Sequence, residues 1–186
     1  MRETLEKLTY LLNSFQGRLI EKYALVGGLA ISAWTEPRAT KDIDFIVKVP
    51  EHLEGYVKRI TEEIQRELKC DVEELKTIDE GLWVLRVKTN ITVDLIISIL
   101  KWQDEIVENS EEMKVFGLNM MVARPEGIIV LKLRANSPQD IIDAERLLGI
   151  ADINLDKVKA LAKRARVDKR LSRLMYKLRS TKTGGR

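Results

Sequence analysis

The sequence predicts an α/β chain in which strands and helices alternate over the first two-thirds and helices alone fill the last third. Three observations carry that reading. Leu5, Leu8, Leu12 and Phe15 recur at helical spacing. Short β-rich runs at residues 23–26, 42–49, 82–88 and 91–98 are bounded by turn residues. Beyond residue 124 the punctuation is that of helices, with Pro125 and Pro138 placed to open them and Gly149 to close one.

In chain order, the first stripe predicts an opening amphipathic helix. Residues 23–26 form a short buried strand ending at Gly27-Gly28, and Leu29 to Trp34 a brief helix stopped by Pro37. Residues 42–49 give a strand with Ile43, Phe45 and Val47 on one face. Leu53, Val57, Ile60, Ile64 and Leu68 mark a helix over about residues 50–69, opened by Pro50. Residues 82–88 and 91–98 form a hairpin through Thr89-Asn90, and a charged helix follows near 102–112. Residues 114–122 read as another hairpin. Helices then open at Pro125 and Pro138, and two basic helices follow, split near Val167-Asp168. The last seven residues, 180–186, have no apolar anchor and are expected to fray. The expected organisation is an α/β core over 1–124, a helical part over 125–179 and a disordered tail over 180–186.

The chain has 186 residues, 45% hydrophobic and 33% charged, which fits a globular core and excludes disorder or a collagen-like scaffold. One cysteine, Cys70, and one histidine, His52, exclude an internal disulfide, a Cys-rich zinc site and a two-His centre. Cys70 reads as a small buried hydrophobe and His52 as a surface residue. No run approaches a membrane span and no secretory signal opens the chain, so a cytoplasmic protein is expected. Abundant Lys and Glu resemble the surface of a thermophile's protein. Charge divides unevenly. Residues 151–186 hold 12 basic and 3 acidic side chains, net +9, while the rest carries a net −6. A basic tail on an acidic body points to a polyanionic partner such as RNA, or to tail and body binding each other.

Three features carry chemistry. Gly27-Gly28, between a strand and a helix, allows backbone N–H groups to approach an anion, although such glycines also serve turns alone. Asp42 and Asp44 lie two apart in an apolar run, so strand alternation puts both carboxylates on one face. Carboxylates so placed either line a solvated strand edge or repel each other unless a cation such as Mg²⁺ sits between them. Asp94 interrupts a second β run, Ile91-Thr-Val-Asp-Leu-Ile-Ile97, which is costly unless it is paired, metal-bound or at an edge.

Together these residues resemble the nucleotidyltransferase superfamily, whose members share a Gly-Gly or Gly-Ser turn, an Asp-x-Asp pair and a later third carboxylate. Arg38-Ala-Thr-Lys-Asp-Ile-Asp44 is similar to the form found in AbiEii-type toxins and related minimal enzymes. Lys132, Asp140 and Asp143 are similar to that group's helical Lys and Asp motifs, and the resemblance covers residues 24–148. It implies a mixed, twisted sheet flanked by helices, with a helical C-terminal part closing one side of the cleft. It further implies two Mg²⁺ ions held by Asp42, Asp44 and Asp94, and ATP or another NTP as substrate. Gly27, Gly28, Arg38, Lys41 and Lys132 would contact phosphate, and Asp140 and Asp143 are further candidates. The acceptor hydroxyl could belong to RNA, a partner protein or a small molecule, and a toxin–antitoxin role is one implication.

Some residues depart from the pattern. Many relatives carry Ser where this chain has Gly28, and an arginine often found between the Lys and Asp motifs is replaced by Asn136-Ser137-Pro138-Gln139, leaving Arg134 as a substitute. Arg38 and Lys41 read equally as surface charge, Lys132 as a solvated lysine, and Asp140 and Asp143 as stabilisers of a helix start. Trp34, Trp83 and Trp102 read as packing residues. Two rivals remain at this point: a nucleotide- or RNA-binding module of the same fold without turnover, and an Asp-x-Asp nucleotide-sugar glycosyltransferase.

Overall fold

The structure, a computed structural model, describes residues 1–50, 53–150 and 152–183. His52 and residues 184–186 lie outside them. Helix α1 (Arg2–Phe15) buries Leu5, Leu8, Leu12 and Phe15, the stripe read from the sequence. Strand β1 (Lys22–Val26) runs straight into α2 (Gly27–Trp34). Strand β2 (Ile43–Lys48) and helix α3 (Leu53–Leu68) follow. Asp42 therefore sits one residue outside the strand and is exposed.

Strand β3 (Asp71–Thr77) was not legible in the sequence, because Asp71, Glu73 and Glu74 break its apolar alternation; none of its residues is fully buried. A single 3₁₀ turn at Ile78–Glu80 leads into β4 (Leu82–Lys88), which forms the expected hairpin with β5 (Thr92–Ile97). Helix α4 (Lys101–Glu108) ends earlier than its charge pattern predicts. Glu111 and Glu112 instead begin β6 (Glu111–Val115), which pairs with β7 (Leu118–Val122) across Phe116-Gly117. Both turn residues have positive φ, 50° and 84°, the geometry of a tight hairpin turn.

Among the described residues four helices follow: α5 (Pro125–Ala135), α6 (Pro138–Leu148), α7 (Leu155–Arg164) and α8 (Asp168–Thr183). Prolines open α5 and α6, and Gly149 caps α6, as the sequence predicts. Helix α8 continues to Thr183, past the residue at which fraying was expected. Its first half is anchored by buried Leu171 and Leu174, and α7 by Val158, Leu161 and Ala162.

The seven strands form one mixed sheet in the order β3-β4-β5-β2-β1-β7-β6. β2 is antiparallel to β1 and parallel to β5, while β1 is parallel to β7. Helices α2 and α4 pack on the central strands, and α5 bundles with α2, α6 and α7. Ile43, Phe45, Leu95 and Leu25 are fully buried in the sheet, with the ring of Tyr23 edge-on to Phe45 at 5.7 Å. The topology matters for one reason. The end of β1, the start of β2 and the start of β5 share one end of the sheet, where Val26 pairs with Asp44 and Asp44 with Asp94.

Candidate active site

Asp44 and Asp94 are direct partners in the parallel register of β2 and β5, so their side chains lie on the same face of neighbouring strands. Such strands run ~4.8 Å apart, close enough for two carboxylates to feel each other strongly. Burial, reinforced by the negative charges of Asp94 and Asp42, pushes the Asp44 carboxyl up to about 6, against the pull of Lys132 and a hydrogen bond from the Gly28 N–H. Asp42 lies just upstream, outside the strand, but close enough to act on Asp44 and on Arg86.

The glycine turn is shaped around this acid. Gly27 has φ +64°, and a Cβ there would lie 1.9 Å from Asp44 Oδ2. A Cβ on Gly28 would meet Thr40 Oγ1 at 2.6 Å and Arg38 Nη2 at 3.2 Å. The turn, expected to cradle phosphate, lies against Asp44, and the Gly28 N–H donates to that carboxylate.

Arg38 and Lys132 are drawn into ion pairs. Asp143, fully buried, accepts from Arg38 Nη2 at 2.7 Å and lies 3.3 Å from Lys132 Nζ, which also donates to Asp140 at 2.8 Å. The Nε of Arg38 is buried without a hydrogen-bond partner. Asp140 additionally caps α6: its carboxylate accepts from the Ser137 N–H, and its own N–H donates to Ser137 Oγ. Burial opposes ionisation of Asp140, yet Lys132 and Ser137 hold its carboxyl below the ordinary range. The Lys and Asp motifs thus form one polar cluster joining α5 and α6 to the segment before β2, while Lys41 is exposed.

Arg86 is the residue that sequence reasoning missed. Standing opposite Asp94 on β4, it donates from Nε and Nη2 to the two carboxylate oxygens, both at 2.8 Å. The hydrogen bonds and charge of Asp94 raise the pKa of Arg86 further. A signal existed: counting outward from the hairpin turn fixes the pairing. Taking Ile91 into the strand shifts that count by one residue and sets Arg86 against Val93, on the wrong face.

A cavity of about 660 Å³ opens beside Asp44 and Gly27. Its walls include Ile96, Trp102, Ile128 and Leu131, with Lys132, Arg134 and Arg170 toward the helices. Gln103 fixes one side, donating to the Gly81 carbonyl at 3.0 Å and accepting from the Ile99 and Leu100 N–H groups. Arg134 bridges the Glu80 carbonyl, 2.5 Å away, and the Ala165 carbonyl at 3.4 Å, and lines the cavity. Trp34 donates to the Ala123 carbonyl and Trp83 is almost wholly buried, both packing residues; Trp102 packs while forming cavity wall.

A divalent cation suits the donor set: Asp44 and Asp94 are hard oxygen ligands, and their mutual repulsion falls when a cation is shared. Among the described residues, no three acidic, His or Cys side chains come together as a ready-made metal cluster. No helix among them is long and apolar enough to cross a membrane.

The family model described as nucleotidyl transferase AbiEii toxin, type IV toxin–antitoxin system, matches residues 10–182. No curated protein matches the chain. Among solved structures, the solution structure of the antibiotic-resistance factor ANT(2'')-Ia aligns with a TM-score of 0.56 at 16% identity, covering 96% of this chain and 98% of that one. The crystal structure of ANT(2'')-Ia in complex with adenylyl-2''-tobramycin aligns with a TM-score of 0.53 at 18% identity, covering 92% and 99%. At these identities the likeness is one of fold.

Proposed function

The chain belongs to the AbiEii nucleotidyl transferase toxin family, and from that premise we propose that it moves a nucleoside monophosphate from an NTP to the hydroxyl of an RNA end, releasing pyrophosphate. The observation that carries the reading is the pairing of Asp44 with Asp94 beside the Gly27 turn, with Asp44 and Gly27 lining a cavity of a size to take a nucleotide. In this proposal Asp42, Asp44 and Asp94 are the residues that would hold Mg²⁺, Asp42 and Asp44 on the nucleotide side and Asp94 on the acceptor side. The bound metal would neutralise phosphate charge and lower the pKa of the acceptor hydroxyl.

The chain's own groups do the rest. Asp94 accepts the hydroxyl proton as the new O–Pα bond forms and the bond from Pα to the bridging oxygen breaks. Pyrophosphate leaves with the electron pair of that bond. Lys132, which lines the cavity, shares its charge with the departing phosphates, and Arg38 lies beside it on the same Asp143 carboxylate. Positioning and charge supply the acceleration, so no covalent enzyme intermediate is required.

RNA is favoured as acceptor by the charge of the C-terminal helices. Residues 151–186 carry net +9, and their apolar side chains Val158, Leu161, Leu171 and Leu174 are spent on docking. Exposed cations such as Lys157, Lys169 and Arg173 face outward, and Arg170 reaches the cavity. A toxic outcome would follow if the modified RNA end were needed for translation. The test is incubation with each α-labelled NTP, Mg²⁺ and total RNA. Label on RNA that falls steeply between 50 and 200 mM salt supports the proposal, because each phosphate contact releases counterion. Label appearing only on protein or on a small hydroxyl compound, as the adenylyl group does in the ANT(2'')-Ia complex, overturns the choice of acceptor and leaves the transfer reading standing.

A further inference from the structure

The two-point contact between Arg86 and Asp94 has no part in the reaction proposed above, yet it occupies the carboxylate on which the second metal would depend. Both Asp94 oxygens accept from one rigid guanidinium at 2.8 Å, the strongest geometry available to an Arg–carboxylate pair. Among the described residues no such cationic fork holds Asp42 or Asp44, and Lys132, the cation acting on Asp44, hydrogen-bonds instead to Asp140. The acidic centre is therefore divided: Asp44 lines the cavity, whereas both oxygens of Asp94 are engaged by an arginine.

We propose that Arg86 is a positioning residue that makes metal binding sequential. This rests on the transfer reading above. A divalent ion enters first at Asp42 and Asp44 together with the triphosphate. A second joins Asp94 only when Arg86 yields at least one of its oxygens. Until then the fork fixes the Asp94 rotamer against the repulsion of Asp44 and prevents the free protein from collecting two metals without nucleotide. Arg86 is partly exposed, its side chain at 40% of full accessibility, so it has room to swing outward once released.

The experiment is titration of the full chain with Mn²⁺, following free Mn²⁺ by electron paramagnetic resonance, with and without a non-hydrolysable triphosphate analogue. The wild type is expected to bind one ion tightly with the analogue and a second at least about tenfold more weakly, given a guanidinium charge within a few ångströms. Arg86→Gln should tighten the second site about tenfold and leave the first unchanged, while Arg86→Lys, a single-point donor, should fall between. Asp94→Asn should lose the second site in either background. Circular dichroism confirms that each variant is folded, and the Lys variant preserves charge if the Gln variant is not. A second site unchanged or weakened in Arg86→Gln, or in Arg86→Lys if only that variant folds, overturns the inference alone. Absence of Mn²⁺ binding in every variant overturns the metal reading, and the inference falls with it.

Discussion

Replacing Asp44 by Asn should make the metal-free protein more stable while destroying its chemistry. In the fold this carboxyl is pushed up to about 6 from an ordinary 3.8, by burial first and then by Asp94 and Asp42. A carboxyl with a raised folded pKa favours folding fully below its unfolded pKa and loses that contribution as pH rises through the folded one. At neutral pH, keeping so displaced a carboxyl ionised costs the fold roughly 3 kcal/mol. Asn removes the charge and keeps an oxygen for the Gly28 N–H. Thermal unfolding in EDTA should show Asp44→Asn melting roughly 6–10 °C higher than wild type at pH 7.5, with the gap closing toward pH 4. Adding Mg²⁺ and an NTP should raise only the wild type. A variant no more stable than wild type at pH 7.5, or one whose advantage persists unchanged at pH 4, would refute the buried-repulsion argument.

Gly27→Ala should cost more than ~2 kcal/mol in urea unfolding and abolish nucleotide-induced stabilisation, since φ is +64° and its Cβ would strike Asp44. Asp143→Ala should cost about 3 kcal/mol by stranding Arg38 and Lys132, with Asp143→Asn costing less; equal stability to wild type would dismiss the cluster as a structural element. Truncation after Gly149 should yield an aggregating protein that binds the dye ANS, because the body loses the cover of Val158, Leu161, Leu171 and Leu174. A truncated chain that stays monomeric and melts as wild type would contradict docking of the basic helices.

Much of the fold was legible because its segments obey a single period. The stripe of α1 and the proline and glycine punctuation of α5 and α6 carry local signals strong enough to survive any packing. β3 was not legible, since an edge strand with little burial is free to carry acids and shows no alternation. Helix α4 ended early because Glu111 and Glu112, which read as helical, are held by pairing with Val122 and Met121. At the site, residue types identified Asp42, Asp44 and Asp94 as candidates, but their relation depends on the crossover that makes β2 and β5 neighbours. Arg38 lies 105 residues from Asp143, and no spacing rule announces Asp143 as the common acceptor of Arg38 and Lys132. Arg86 needed only a correct hairpin register.

The most direct measurement of the central claim counts both products of one reaction. With the purified protein, Mg²⁺, an α-labelled NTP and acceptor RNA, pyrophosphate released and label incorporated should rise together in a one-to-one ratio. Asp44→Asn should abolish both, and Asp94→Asn should abolish both while still binding nucleotide. Pyrophosphate without incorporation, or undiminished incorporation by the Asp94 variant, would contradict nucleotidyl transfer at the paired carboxylates.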